Sequence, residues 1–114
     1  MGKVFITQFN KYSKNDYEVA SEFGDLEYIS SIEYENVKNS PGNAEIREDI
    51  FKFLKIYDNE NDYIIPVGDP LGVILITSAI FSLYPYCNIL KWDRREKKYV
   101  PYKLPSIDSL GNLK

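Results

Sequence analysis

A chain of 114 residues, 44% of them hydrophobic, supports one domain with a single core and leaves no room for a second. Fourteen basic residues against seventeen acidic ones give a net charge of -3, mixed in sign: a general nucleic-acid binder would need a basic excess, and a nucleic-acid mimic far more acid. There is no histidine and one cysteine, Cys87, so no Ser-His or Cys-His pair and no intrachain disulfide can form, which suits a reducing compartment.

Met1-Gly2-Lys3 leads into a short strand rather than an apolar leader segment, and Ile6 stands where a myristoylation motif wants Ser or Thr. An intracellular protein is expected. Residues 4–9 read as the first strand and Phe9 to Ser13 as a polar loop. Asn15 and Glu18 have the spacing of a capping box. A short helix should follow, with Val19, Ala20 and Phe23 inward and Gly24 as its stop. Residues 26–32 read as the second strand, and the Asn-, Ser-, Pro- and Gly-rich residues 33–43 as a surface loop. Residues 44–57 form the clearest amphipathic helix: Ile46, Ile50, Phe53, Leu54 and Tyr57 recur at spacings of three and four, with charged residues between them.

Residues 63–67 are a short apolar run bounded by turn residues, which predicts a strand buried on both faces. Pro66 resists that reading, because proline cannot donate to a ladder; a bulge or an edge position would reconcile it. Gly68 ends the run, Asp69 suits an N-cap and Pro70 the first helical position. Residues 71–84 are nearly all apolar but too short to span a membrane, so they read as a helix packed on the sheet with little face left for water. Pro85 ends it and residues 87–92 form the fourth strand. Trp92 to Tyr99 reads as a hairpin with a charged tip, and residues 99–104 as the return strand, where Pro101 fits an edge and Trp92 can pair with Tyr99. Residues 106–114 have little to bury and read as a loosely held tail after a single domain of residues 1–105.

The order β-α-β-α-β-α-β-β implies an α/β domain of Rossmann-like or flavodoxin-like kind: a mostly parallel sheet, helices on both faces, strand order 2-1-3-4-5 and an antiparallel edge strand. In such a sheet ligands bind beyond the carboxyl ends of the strands, near the reversal of strand order. That edge would gather Phe9, Asn10, Ser30, Gly68, Asp69 and Asp93. The candidate ligand residues are Asn10, Ser30, Gly68 and Asp69. Against them, Asp69 puts a negative charge where a phosphate would lie, the turn lacks the glycines of a phosphate loop, and plain capping explains it. Asp62, Asp69 and Asp93 do not make a metal site, since Asp62 precedes the third strand and Asp69 follows it; no cofactor is implied. Trp92, Arg94, Arg95, Lys97 and Lys98 interleave aromatic and basic residues, as a surface for single strands or phosphates or for a partner protein does. The simpler reading is a solvated turn whose charges discourage edge-to-edge pairing. Ten tyrosines, Tyr12, Tyr17, Tyr28, Tyr34, Tyr57, Tyr84, Tyr86 and Tyr102 among them, suit either an interface or the rim of a small core. The apolar helix needs more cover than one sheet face provides, and a homodimer would supply it.

The run Asp62-Tyr63, the turn Gly68-Asp69-Pro70, then Leu90-Lys91-Trp92 and Tyr99, with Phe23-Gly24-Asp25-Leu26 upstream, resembles a family of small proteins of phages and other viruses. The resemblance covers most of the chain and its motifs are structural. It implies a virus-encoded accessory protein acting inside an infected cell, and it carries over no catalytic residue. The expected function is therefore non-enzymatic binding of a host or viral macromolecule. The alternative is a small-ligand, nucleotide-like binder at the carboxyl edge of the sheet, and an enzyme is the least supported class.

Overall fold

The computed structural model describes residues 2–8, 17–29 and 41–106. Five strands form one sheet: β1 (Lys3–Ile6), β2 (Asp25–Tyr28), β3 (Tyr63–Ile65), β4 (Tyr86–Asp93) and β5 (Lys98–Pro105). Their order is β2-β1-β3-β4-β5. β1 pairs parallel with β2 and with β3, and β3 pairs parallel with β4. β5 returns antiparallel at the edge, in register from Tyr86↔Pro105 to Asp93↔Lys98.

The two faces of the sheet are covered unequally. Strand side chains alternate between faces. Phe5, Ile64, Cys87 and Ile89 join Ile46, Ile50 and Phe53 of α1 (Pro41–Ile56) and Ile76 and Ile80 of α2 (Pro70–Leu83) in one core. Val4, Ile6, Ile65, Leu90 and Tyr99 point the other way, where the cover is a 3-10 helix, Glu18–Phe23. The α-helical core is built around Phe5, whose ring meets Phe53 edge-on at 4.8 Å between centroids. Such an aromatic pair adds about 0.5–1.5 kcal/mol beyond its area burial.

The amphipathic period of α1 holds: Ile46, Ile50, Phe53 and Tyr57 are buried and Leu54 packs against them. The helix starts at Pro41 rather than Ala44, so residues 41–43 are helical and not loop. Proline is tolerated at a first turn, and the polar composition concealed the start. The upstream helix is 3-10 rather than α, with the Ala20 N–H donating to the Tyr17 carbonyl at 2.8 Å. Residues three apart eclipse in a 3-10 helix. Tyr17, Ala20 and Phe23 therefore share the inner edge, and Val19, expected inward, is turned out. Gly24 follows it at φ 155°, and a Cβ there would overlap the Gly2 carbonyl.

β1 and β2 end sooner than expected, at Ile6 and Tyr28, and β3 ends at Ile65. Pro66 lies one residue past β3, so the proline ends a central strand and marks neither a bulge nor an edge. Gly68 turns the chain at φ 96°, the Asp69 carboxylate accepts the Leu71 N–H at 2.9 Å, and Pro70 opens α2 as expected. α2 leaves more face to water than its composition predicts. It seats Gly72, Ile76 and Ile80, one stripe at a spacing of four, and leaves Leu71, Ile74, Leu75 and Leu83 exposed. No described helix is long and apolar enough to cross a membrane. Phe9, Asn10, Tyr12, Asn15, Ser30, Tyr34, the end of the expected second strand and the tail beyond Ser106 lie outside the described residues.

Candidate functional site: a cleft beside the β4–β5 hairpin

The carboxyl ends of β1, β3 and β4 share one edge of the sheet, but they stop at different heights. Ile64 of β3 pairs with Ile89 of β4, and β3 ends one residue later at Ile65, because Pro66 beyond it has no N–H to extend the ladder. β4 runs on to Asp93, paired there with β5 alone. The difference opens a notch between the end of β3, the rising hairpin and the start of the 3-10 helix. The resulting cleft has a volume of about 810 Å³ and is lined by Pro66 and Val67, by Tyr17 and Val19, and by Trp92 and Arg94, among others. A second concavity of about 410 Å³ adjoins it, lined by Asp93, Arg95, Val100 and Tyr102, and the two share Lys91, Trp92 and Arg94.

Trp92 sits where the two meet. It pairs with Tyr99 across the hairpin, ring centroids 5.1 Å apart and planes at 65°. Tyr99 is buried in the core below and Trp92 is 40% exposed, so a fixed ring carries an open one. The turn beyond is tied by Asp93, whose Oδ1 accepts from the Arg95 N–H at 2.9 Å and the Glu96 N–H at 3.2 Å. Lys97 closes it at φ 52°, a left-handed conformation that costs a residue with a Cβ about 1–2 kcal/mol. Among the described residues the ion pairs are Lys3–Glu27 and Lys52–Glu48, so Lys91, Arg94, Arg95, Lys97 and Lys98 are in none.

The residues singled out from sequence separate into two places. Trp92 and Arg94 line both concavities, Arg95 lines the smaller, and Lys97 and Lys98 line neither. Gly68 and Asp69 also line neither. Their turn is filled from β1: Gln8 Oε1 accepts the Asp69 N–H at 2.7 Å, and a Cβ on Gly68 would overlap that oxygen. Thr7 closes the reversal point of strand order in the same way. Its hydroxyl accepts the Val67 N–H at 2.8 Å and donates to the Val67 carbonyl. Asp69 thus caps α2 in a turn occupied by the protein's own amide. Asn10 and Ser30 lie outside the described residues.

Lys91 and Val67 line the cleft without having been picked out, and Tyr17, named only among the interface or rim tyrosines, lines it too. Lys91 carries a signal in its position, a cation next to the tryptophan. Tyr17 and Val67 carry none, since only the fold brings them there.

The remaining candidates are structural. Asp62 lies at the opposite end of the sheet, 3% exposed, where its oxygens accept the Lys3 N–H at 2.8 Å and the Asp58 N–H at 2.7 Å. No group of three or more Cys, Asp or Glu that could hold a metal ion occurs among the described residues. Burial pushes the Cys87 thiol up to about 11, so it is a protonated core residue at neutral pH rather than a nucleophile. Burial likewise raises the Tyr57 hydroxyl, which donates to Asn59 Oδ1 at 2.7 Å beside it. Of the tyrosines, Tyr57 packs on Tyr84 at 5.9 Å between centroids, Tyr17 on Tyr28 at 6.4 Å, and Lys103 Nζ sits 4.0 Å over the Tyr86 ring. These contacts tie them to the frame, although Tyr28 and Tyr102 remain exposed.

No curated protein and no solved structure matches the chain. A family model does, over residues 2–106: that of the phage Pam3 gp32-like proteins. A match over nearly the whole chain, spanning every strand and helix above, places it: the protein belongs to the phage Pam3 gp32-like family.

Proposed function

We propose that this is a phage accessory protein that acts without catalysis, by binding a host or viral macromolecule inside the infected cell through the β4–β5 hairpin and its cleft. The frame is of flavodoxin-like kind. The strand order reverses between β1 and β3, and the cover changes face at the same point, from the 3-10 helix to α1 and α2, as right-handed crossovers require. The observation that carries the reading is Trp92, an exposed aromatic held by a buried one between two concavities, with cations beside it that are in no ion pair among the described residues. Tryptophan and arginine are the residue types that dominate binding hot spots.

The test is capture from phage-infected cells with wild-type protein and with Trp92→Ala and Arg94→Ala. The side chains are exposed, so the variants should fold, and each should lose the partner that the wild type retains. A partner held equally by all three would place the contact elsewhere and sink the reading. A small, nucleotide-like ligand is the second reading, favoured by the size of the larger cleft, about 810 Å³, within the range of small-molecule sites. It predicts a thermal shift with a free nucleotide.

A further inference from the structure

We propose that the cleft takes single-stranded nucleic acid, with a base against Trp92 and phosphates on Arg94 and Arg95; this rests on the hairpin cleft being the binding site. The first argument is charge. The eight residues from Lys91 to Lys98 hold five cations and two carboxylates, in a chain whose net charge is -3. One of the two carboxylates, Asp93, is occupied with the backbone N–H groups of its own turn. The basic charge of this acidic protein is thus concentrated on the element that borders both concavities, which complements a polyanion.

The second argument separates nucleic acid from an acidic peptide. A peptide of carboxylates would be served by the cations alone and has no use for an exposed indole. Nucleic acid sets phosphates beside flat rings, and the hairpin sets cations beside a ring: Arg94 lines both concavities with Trp92, and Arg95 lines the smaller. Base stacking on aromatic side chains is tolerant of sequence and strong for single strands. Tyr99 holds Trp92 edge-to-face from the core side, which fixes the platform before a base arrives. The third argument is shape. A duplex buries its base faces and offers only its backbone to a protruding finger, whereas a strand with unstacked bases can enter a cleft between Trp92 and Tyr17.

Trp92 is the one tryptophan in the chain, so its fluorescence reports on the site directly. Titration with an oligothymidylate of about a dozen nucleotides should quench it, with log affinity falling against log salt by about 0.7 per phosphate neutralised. Arg94→Ala with Arg95→Ala should flatten that slope by about 1.4, and Trp92→Phe, read by anisotropy of a labelled oligonucleotide, should bind more tightly than Trp92→Ala by tenfold or more. A duplex of the same sequence and poly-glutamate should quench far less.

Oligonucleotide binding that leaves Trp92 emission and the arginine variants unaffected would overturn the assignment. So would quenching by thymidine monophosphate equal to that by the oligomer, in favour of a free nucleotide, or quenching by poly-glutamate alone, in favour of an acidic protein. If no polyanion quenches while capture from infected cells still depends on Trp92, the nucleic acid falls and the binding site stands. If capture is also independent of Trp92, both fall.

Discussion

Gln8 Oε1 accepts the backbone N–H of Asp69 at 2.7 Å, a bond across sixty-one residues that joins the exit of β1 to the first turn of α2. The Gly68-Asp69 turn, on the edge where a parallel sheet of this order would hold a ligand, is therefore closed by the chain's own side chain. Gly68→Ala should destabilise the protein by about 2–4 kcal/mol, from a Cβ placed at φ 96° and overlapping the Gln8 side chain. Gln8→Ala should cost about 1 kcal/mol by removing the acceptor. The double variant should cost less than the sum, because alanine at position 8 removes the overlap with Oε1 and Cδ and leaves only that with its own Cβ. Urea denaturation of the four proteins measures this, and strict additivity would show that the two positions do not meet.

That closure explains what could and could not be read from the chain. α1 was legible because Ile46, Ile50, Phe53 and Tyr57 repeat with the helical period, and Gly68-Asp69-Pro70 because each residue states its own backbone preference. Thr7 and Gln8 were not, since an ordinary polar pair gains its meaning from Val67 and Asp69, about sixty residues away. Pro66 was noticed, but its consequence depends on β4 outrunning β3, a relation between two strand lengths. Val19 was misplaced because apolar spacing does not distinguish a 3-10 turn from an α turn.

Asp62 clamps the amino end of the sheet as Thr7 and Gln8 clamp the carboxyl end. Its buried carboxylate satisfies the N–H groups of Lys3 and Asp58, one at the start of β1 and one in the turn before β3. Asp62→Ala orphans both, and charged-group hydrogen bonds of this kind contribute about 1.5–3 kcal/mol each. A loss of about 3–6 kcal/mol is expected from urea denaturation, read as a lower midpoint with the slope unchanged. The cleft lies at the other end of the sheet, so Trp92 emission in the folded variant should match wild type. A midpoint within error of wild type would show that the clamp is redundant.

Cys87 gives the protein an alkaline limit. Its folded value, pushed up to about 11 by burial, stands above the ordinary 9.0 of an unfolded chain. Between those values the unfolded state has released a proton that the folded state keeps, so stability falls as pH rises. It is fully present below about pH 9 and declines toward pH 11, by on the order of 2–3 kcal/mol. Tyr57, raised by burial, adds to the decline above its ordinary 10.0. Urea midpoints should drop across that window in the wild type and less steeply in Cys87→Ala. A flat profile, or identical slopes in the two proteins, would contradict the assignment.

We propose that the uncharged outer face of α2 meets a second copy of the chain. No charged residue occurs between Pro70 and Leu83. Leu71, Ile74, Leu75 and Leu83 are 44–61% exposed. Two of the hydroxyls that interrupt the run are satisfied by the helix's own backbone: Thr77 donates to the Val73 carbonyl and Ser82 to that of Ala79, each at 2.7 Å. A two-fold axis sets a patch against itself, which a charged face resists and an apolar one with small central residues, Ser78 and Ser82, permits. Native mass spectrometry should therefore give twice 13.3 kDa for the wild type. Leu75→Glu, which places like charges near the axis without touching the buried stripe of Gly72, Ile76 and Ile80, should give a folded monomer. A wild-type monomer at tens of micromolar, or a dimer that survives Leu75→Glu, would remove α2 from the interface.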